Sequence, residues 1–382
     1  MNHNDISVIV ESRSSVVRPA DGSVGIIQYP SMVRLSDGTL LATYENYGWK
    51  YIIHRSLDDG ITWERFSTVT DTLNVGYVAE WMPHLYELPV DMGDYKAGTV
   101  ILAGTSKNQK DTFDISTITL HASTDKGATW STVCNVDIGG GGGWGVWEPF
   151  LIYEEERGRL YCFYSDDSAF AVGQKLVYKY TTDLKNWVGK DGQIGVECEP
   201  KDAVECADHN LRPGMISIAK MGNGEYIMTY EVDRLRDLPV FCKKTFDLDD
   251  WGDINDYGTQ VISTDGRSFG ASPWCAWSPC GGECGTLVVV GKHPAPYYHT
   301  EAGAKMLVSF DYGKSFTALD NPIPYPLRAK ETHCGYSPCL FFSPDGEILY
   351  YVGNTLIPTE KCHEIVLKKI RIENKLLKAK EN

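Results

Sequence analysis

The octapeptide S-T-D-K-G-A-T-W at residues 123–130 has a second full copy, S-L-D-D-G-I-T-W at 56–63, and three looser ones, Asp183–Trp187, Asp247–Trp251 and S-F-D-Y-G-K-S-F at 309–316. An Asp in such a turn accepts backbone N–H bonds, a Gly supplies positive φ and the closing aromatic packs inward, so the motif works as a hairpin staple. A Ca²⁺ site is the functional alternative, but the spacing does not match an EF-hand loop. Working outward, six turn glycines each precede an apolar strand: Gly38, Gly98, Gly158, Gly224, Gly285 and Gly346, with gaps of 60, 60, 66, 61 and 61 residues. Upstream of each, a proline opens another apolar stretch: Pro30, Pro83, Pro149, Pro213, Pro273 and Pro338. The repeating unit is a proline strand, a glycine turn, a second strand and a hairpin that carries the Asp turn. Six units of about 64 residues fill the chain.

Six four-stranded antiparallel units predict an all-β, six-bladed β-propeller, with residues 1–382 as a single catalytic domain. A pair of stacked β-sandwiches would leave the spacing unexplained. The sixth unit lacks an Asp turn, and the strand Ile6–Glu11 is expected to supply its outer strand instead. Composition agrees: 22 Tyr, 12 Phe, 10 Trp and 37 Gly favour short strands and turns. A net charge of −15 excludes nucleic acid as a partner, and the basic stretch 368–380 reads as a solvated tail. No apolar run approaches ~18 residues and the first five residues are polar, so neither a membrane partner nor a leader is expected. Eleven cysteines without framework spacing suit reduced thiols, and the expected location is cytoplasmic, or secreted if a leader has been removed from this sequence. Oligomeric state is not legible.

In each unit the first strand starts where the second ends, and this face lies opposite the glycine and Asp turns. The residues before the prolines therefore line a central mouth: Gln28 and Tyr29, Trp81 and Met82, Trp147 and Glu148, Leu211 and Arg212, Ala271 and Ser272, Tyr336 and Ser337. Residues that close the second strands join them: Glu45 and Asn46, Asp166 and Asp167, Glu231, Lys292 and His293. Within G-W-G-V-W-E-P-F-L-I-Y (143–153) Glu148 is the sole charge, and a carboxylate among aromatics is costly to desolvate. By position alone it is either a catalytic group or a polar rim residue.

The Asp turns resemble those of sialidase-type propellers, in which an arginine two residues ahead of the first proline binds a carboxylate. Gln28 holds that place, and a neutral amide cannot make the bidentate charged pairing, which argues against a sialidase. A narrower resemblance runs through L-S-D-G-T-L-L-A-T-Y-E-N-Y (35–47), Y-E-L-P (86–89), A-G-T-V-I-L-A-G (97–104), A-S-T-D-K-G-A-T-W (122–130), V-W-E-P-F-L (146–151), Y-S-D (164–166), G-Q-K-L-V (173–177), T-D-L-K-N-W (182–187), R-P-G-M (212–215) and Y-I-M-T-Y-E (226–231). These are similar to glycoside hydrolase family 93, the exo-α-1,5-L-arabinanases. The resemblance implies a sialidase-like six-bladed propeller that releases arabinobiose from arabinan or arabino-oligosaccharide ends with retention of configuration. Its two catalytic glutamates match Glu148 and Glu231; no cofactor and no metal are expected. The loop Val196–Asn210 is longer than the family's, and with no leader in view the expected substrate is an imported oligosaccharide.

A retaining glycosidase needs a protonated acid and an ionised nucleophile. Glu148, flanked by Trp147, Pro149 and Phe150 and with Asp166 closing its unit's second strand, suits the acid, since desolvation and a like charge both raise a carboxyl pKa. Glu231, in the unit whose first strand opens with Arg212, suits the nucleophile. Tyr336 either orients a carboxylate or is a packed rim tyrosine. Gln28, Tyr29, Glu45, Asn46, Trp81, Trp147, Asp166, Arg212 and Trp274 are the expected substrate-binding set. Trp81, Trp144, Trp147, Trp274 and Trp277 serve either as sugar platforms or as core. The run Gly139–Gly143 reads as a rim loop, since no helix follows it to make a phosphate cradle. Cys275, Cys280, Cys284, Cys334, Cys339 and His333 are spaced too loosely for a zinc site and read as thiols. Two rival classes remain: another exo-glycosidase on the same fold, and a non-catalytic carbohydrate-binding propeller.

Overall fold

The structure is a computed structural model that describes residues 5–18, 26–46, 50–74, 79–108, 115–140, 145–168, 173–295, 305–323, 334–357 and 362–375. After β1 (Ile6–Val17) the chain forms a first sheet from β2 (Gln28–Arg34), β3 (Leu40–Glu45), β4 (Tyr51–Ser56) and β5 (Glu64–Val69). The second sheet is β6 (Ala79–Glu87), β7 (Val100–Lys107), β8 (Ile115–Ser123) and β9 (Ser131–Gly140). The third is β10 (Val146–Glu154), β11 (Arg159–Asp166), β12 (Lys175–Thr181) and β13 (Lys201–Val204). The fourth is β14 (Arg212–Lys220), β15 (Tyr226–Asp233), β16 (Val240–Thr245) and β17 (Thr259–Gln260). A two-stranded ribbon, β18 (Ser268–Gly270) with β21 (His293–Ala295), accompanies the fifth sheet of β19 (Trp274–Ser278), β20 (Thr286–Val290), β22 (Lys305–Ser309) and β23 (Thr317–Asp320). The sixth runs β24 (Cys339–Phe342), β25 (Leu349–Ile357), β26 (Cys362–Asn374) and then β1. This is the six-bladed β-propeller of four-stranded antiparallel blades that the repeats predict. The register Ile6↔Asn374 through Val17↔Ile365 shows the expected N-terminal outer strand, longer than the sequence indicated. Among the described residues no helix is long and apolar enough to cross a membrane.

The chain groups into two compact units. One comprises residues 29–216 and 253–256; the other comprises 1–28, 217–252 and 257–382. In the first, Ile101, Ala103, Leu120, Leu151, Leu160 and Trp187 share one core cluster, so neighbouring sheets pack face to face. In the second, Ile227, Val240, Phe269, Val289 and Leu307 do the same. Second strands are buried on both faces, as β11 shows from Leu160 to Ser165. That is why they read as unbroken apolar runs rather than alternating ones.

All six turn glycines have positive φ, from 63° at Gly158 to 91° at Gly38, where a Cβ would be strained. The Asp turns close the third and fourth strands of their blades. Asp125 Oδ1 accepts from the Thr129 amide at 2.8 Å, Ser123 Oγ accepts from the Gly127 amide at 2.8 Å, and the Trp130 indole donates to the Gly127 carbonyl at 3.1 Å. Asp58, Asp183 and Asp311 repeat the pattern. Such bonds to the ionised carboxylate hold Asp58 and Asp183 down at about 2. These bonds hold each hairpin turn through its Asp carboxylate.

Candidate active site

The residue just before the inner proline is left-handed in five blades: Tyr29 (φ 48°), Met82 (53°), Glu148 (62°), Ser272 (47°) and Ser337 (50°). In β14 the left-handed residue is Met215 (59°), two places after Pro213. Each such residue costs about 1–2 kcal/mol, and pre-proline residues ordinarily prefer extended backbone. In β6 and β10 the kink is a β-bulge, with register shifts between Trp81 and His84 and between Trp147 and Phe150. A bulge re-aims a side chain, and backbone strain of this kind clusters at functional sites, which makes these positions candidates.

At the β10 bulge the half-buried Glu148 is held by three donors. Ser165 Oγ donates to Oε2 at 2.8 Å, the Met215 amide donates to the same oxygen at 2.9 Å, and the Tyr29 hydroxyl reaches Oε1 at 3.3 Å. Tyr29 also lies 3.5 Å from Met215 Sδ. Burial raises the Glu148 pKa; the three hydrogen bonds and the Arg212 charge pull it down and do not cancel the rise. The Arg212 guanidinium is engaged by Asp167 at 2.7 Å and by the Gln174 side-chain carbonyl at 2.8 Å. Gln174 in turn donates to the Pro213 carbonyl at 2.8 Å. A Cβ on Gly214 would meet Gln174 Nε2 at 2.4 Å, so the glycine makes room for that amide. The four residues of R-P-G-M thus supply, in order, a cation, a carbonyl acceptor, space, and an N–H for Glu148.

Trp81 and Trp147 stack beside this bulge with centroids 6.4 Å apart and planes inclined by 27°. Lys107 Nζ lies 5.5 Å from the first ring and 4.8 Å from the second, a geometry that favours the cation over both faces. The Tyr51 hydroxyl fixes the Trp81 carbonyl at 2.8 Å. Buried Glu45 accepts from the Met82 amide at 3.2 Å and so braces the β6 bulge. Asn46 follows it, half-buried. Asp166 accepts from the Ser168 amide at 2.9 Å and caps its own loop.

In the other unit Glu231, half-buried in β15, accepts from the Ser272 amide at 2.6 Å. Ala271 and Ser272 are both left-handed, with φ 61° and 47°. Lys292 is buried, its charge bears on Glu231 and on the Cys334 thiol, and burial lowers its pKa to about 8. Its ammonium lies 4.2 Å from the centroid of the Tyr336 ring, and the Tyr336 amide donates to Asn354 Oδ1 at 3.0 Å. Trp274 is half-buried and its indole donates to the Leu340 carbonyl at 3.0 Å, a packing bond between sheets. Trp277 donates to the Cys284 carbonyl at 3.1 Å and packs on the core. Gln28 is buried at the start of β2.

No protein-family model matches the sequence, and a search of curated proteins returns no match. Solved structures do match. An α-L-arabinanase of Penicillium chrysogenum, solved with arabinobiose, is 28% identical with TM-score 0.79, over 96% of this chain and 98% of that one. The GH93 α-L-arabinofuranosidase of Fusarium graminearum, also solved with arabinobiose, is 30% identical with TM-score 0.77, over 95% and 98%. The chain belongs to glycoside hydrolase family 93. A Dyadobacter fermentans protein of unknown function, 12% identical with TM-score 0.64, shares the fold alone.

Within this family-93 chain the structure gathers Tyr29, Glu148 and Arg212 in one network, with Trp81 and Trp147 side by side in the same unit. It gathers Glu231, Lys292 and Tyr336 in the other. Sequence reasoning set Arg212 as the cation for Glu231. The guanidinium pairs with Asp167 and its charge bears on Glu148, while Lys292 is a cation that bears on Glu231. Asp166 was expected to raise Glu148 through like charge; the rise comes from burial. The sequence places Asp167 and Lys292 at the mouth without a chemical role, and assigns none to Ser165, Gln174 and Met215, which lie in quoted motifs. Trp144, His333 and Gly141–Gly143 lie outside the described residues, and Gly139 and Gly140 end β9. Cys280 and Cys284 are half-buried free thiols, and Cys275 is buried against Ser217.

Proposed function

We propose that the protein is an arabinan-active glycoside hydrolase, a retaining exo-α-1,5-L-arabinanase that releases arabinobiose. The observation that carries the proposal is Glu148: a carboxyl on a strained bulge, fixed by three donors yet kept prone to hold a proton by burial. That combination suits a general acid, which must be protonated at the working pH and oriented toward a leaving oxygen. Glu148 gives its proton to the glycosidic oxygen as the C–O bond breaks, and Glu231 forms a bond to the anomeric carbon. Water then attacks that carbon, Glu148 takes the water proton, and Glu231 leaves with its electron pair. The retaining route requires the two carboxyls about 5–5.5 Å apart. Similarity to an arabinanase and to a family-93 arabinofuranosidase, each solved with arabinobiose, supports the substrate class. Trp81 and Trp147 supply apolar faces for sugar rings, and Gln28 in place of an arginine speaks against a sialic acid substrate. Incubation with linear 1,5-α-arabinan and, separately, with sialyllactose tests this by chromatography of the products. Arabinobiose as the sole early product is expected; a ladder of longer fragments or free sialic acid would overturn the assignment.

A further inference from the structure

We propose that Lys292 is a positioning residue for the reaction: its buried ammonium sets the charge state of Glu231, and its backbone holds the kink that orients that carboxylate. The inference rests on the nucleophile role proposed for Glu231. The kinked segment Gly270–Ser272 is gripped twice. The Ser272 amide donates to Glu231 Oε2 at 2.6 Å, and the Lys292 amide donates to the Gly270 and Ala271 carbonyls at 3.1 and 2.9 Å. One lysine therefore fixes the backbone that binds the carboxylate and carries a positive charge against it. Lys292 is only 6% exposed, so water screens that charge poorly. The ammonium also lies over the Tyr336 ring, with its centroid at 4.2 Å, and its charge bears on the Cys334 thiol. A buried ammonium is costly to desolvate, and an aromatic face together with a carboxylate is the company that offsets this.

Two groups decide the sign. A positive charge beside Glu231 favours its ionised form, so removing the charge raises the pKa at which Glu231 loses its proton. Burial has lowered Lys292 to about 8, so the charge is present at neutral pH and is lost on the alkaline side. The wild-type protein, labelled with ¹³C at glutamate side-chain carboxyls, gives the first test, with Glu231→Gln used to assign the Glu231 signal. Besides the main step of its own titration, the Glu231 signal is expected to show a small inflection near pH 8, where Lys292 loses its charge; absence of that inflection would overturn the proposal. Lys292→Met should raise the main step by about one pH unit or more, and Lys292→Arg should return it. The acid limb of kcat/KM on arabino-oligosaccharide should move by the same amount. A uniform loss of rate with both the limb and the NMR step unmoved would mean a packing role only and would overturn the proposal. If wild type does not cleave arabinan, the proposed function fails while the NMR titration still decides the pairing.

Discussion

The two glutamates occupy different kinds of surroundings. Glu148 has three hydrogen-bond donors but its nearby cation, Arg212, is committed to Asp167, and burial prevails. Glu231 has the short backbone bond from Ser272 and the charge of a buried lysine. The contrast teaches that donor count does not decide protonation. A carboxyl with many donors still has its pKa raised when burial outweighs them and the nearby cation is paired elsewhere. A carboxyl with a whole buried charge beside it is favoured in the ionised form.

The largest way to break this comparison is to remove either carboxyl. Glu148→Ala and Glu231→Ala should each lower kcat on arabino-oligosaccharide about 10²–10⁴-fold, with thermal melting unchanged. Wild-type rates in either would return that residue to the rim. Next is Gly214→Ala. Its Cβ would displace the Gln174 amide, the contact being 2.4 Å, and so loosen Arg212. Loss of one charge-assisted bond should reduce kcat/KM about tenfold, while Gly38→Ala, at a turn on the opposite face, should change Tm and not kcat/KM.

Smaller effects sharpen the contrast. Ser165→Ala removes a bond that lowers the Glu148 pKa, so that pKa should rise. The alkaline limb of kcat/KM, where the acid loses its proton, should shift upward by a few tenths of a pH unit, roughly, and the acid limb should stay put. A downward shift would contradict Glu148 as the acid. Smallest is Asp125→Ala in a staple, expected to lower Tm by about 1–3 °C at neutral pH with the pH–rate profile unmoved. The Asp125 pKa is held below its usual value, so its stabilisation is present above that value and fades as pH falls through the folded pKa. The Tm gap between wild type and variant should close in acid.

The fold was legible because its signals are local. Six glycines need positive φ, six prolines open strands, and the Asp turns staple hairpins, each within a few residues of sequence. The outer strand of the sixth blade was inferred from a missing turn, and β1 supplies it. The mouth was legible as a set of residues but not as a network. Met215 reaches Glu148 across 67 residues through a backbone N–H that any residue type would supply. The left-handed backbone of Tyr29 and Glu148 runs against the preference of pre-proline residues, so the proline pattern gives their place but not their conformation. Trp274, read as either a sugar platform or core, bonds its indole to the Leu340 carbonyl, a partner 66 residues away that no local pattern shows. The position of Lys292 after an apolar strand places it at the mouth, but its burial beside the β18–β21 ribbon was not legible.

The most direct measurement is the stereochemistry of azide rescue, read by proton NMR of the products from an activated aryl arabinoside. In Glu148→Ala the covalent intermediate forms without acid assistance and waits for a base, so azide should attack it and give a product of retained configuration. In Glu231→Ala no such intermediate forms, and azide should displace the aglycone directly to give the inverted product. Exchanged stereochemistry between the two variants would reverse the roles and contradict the account.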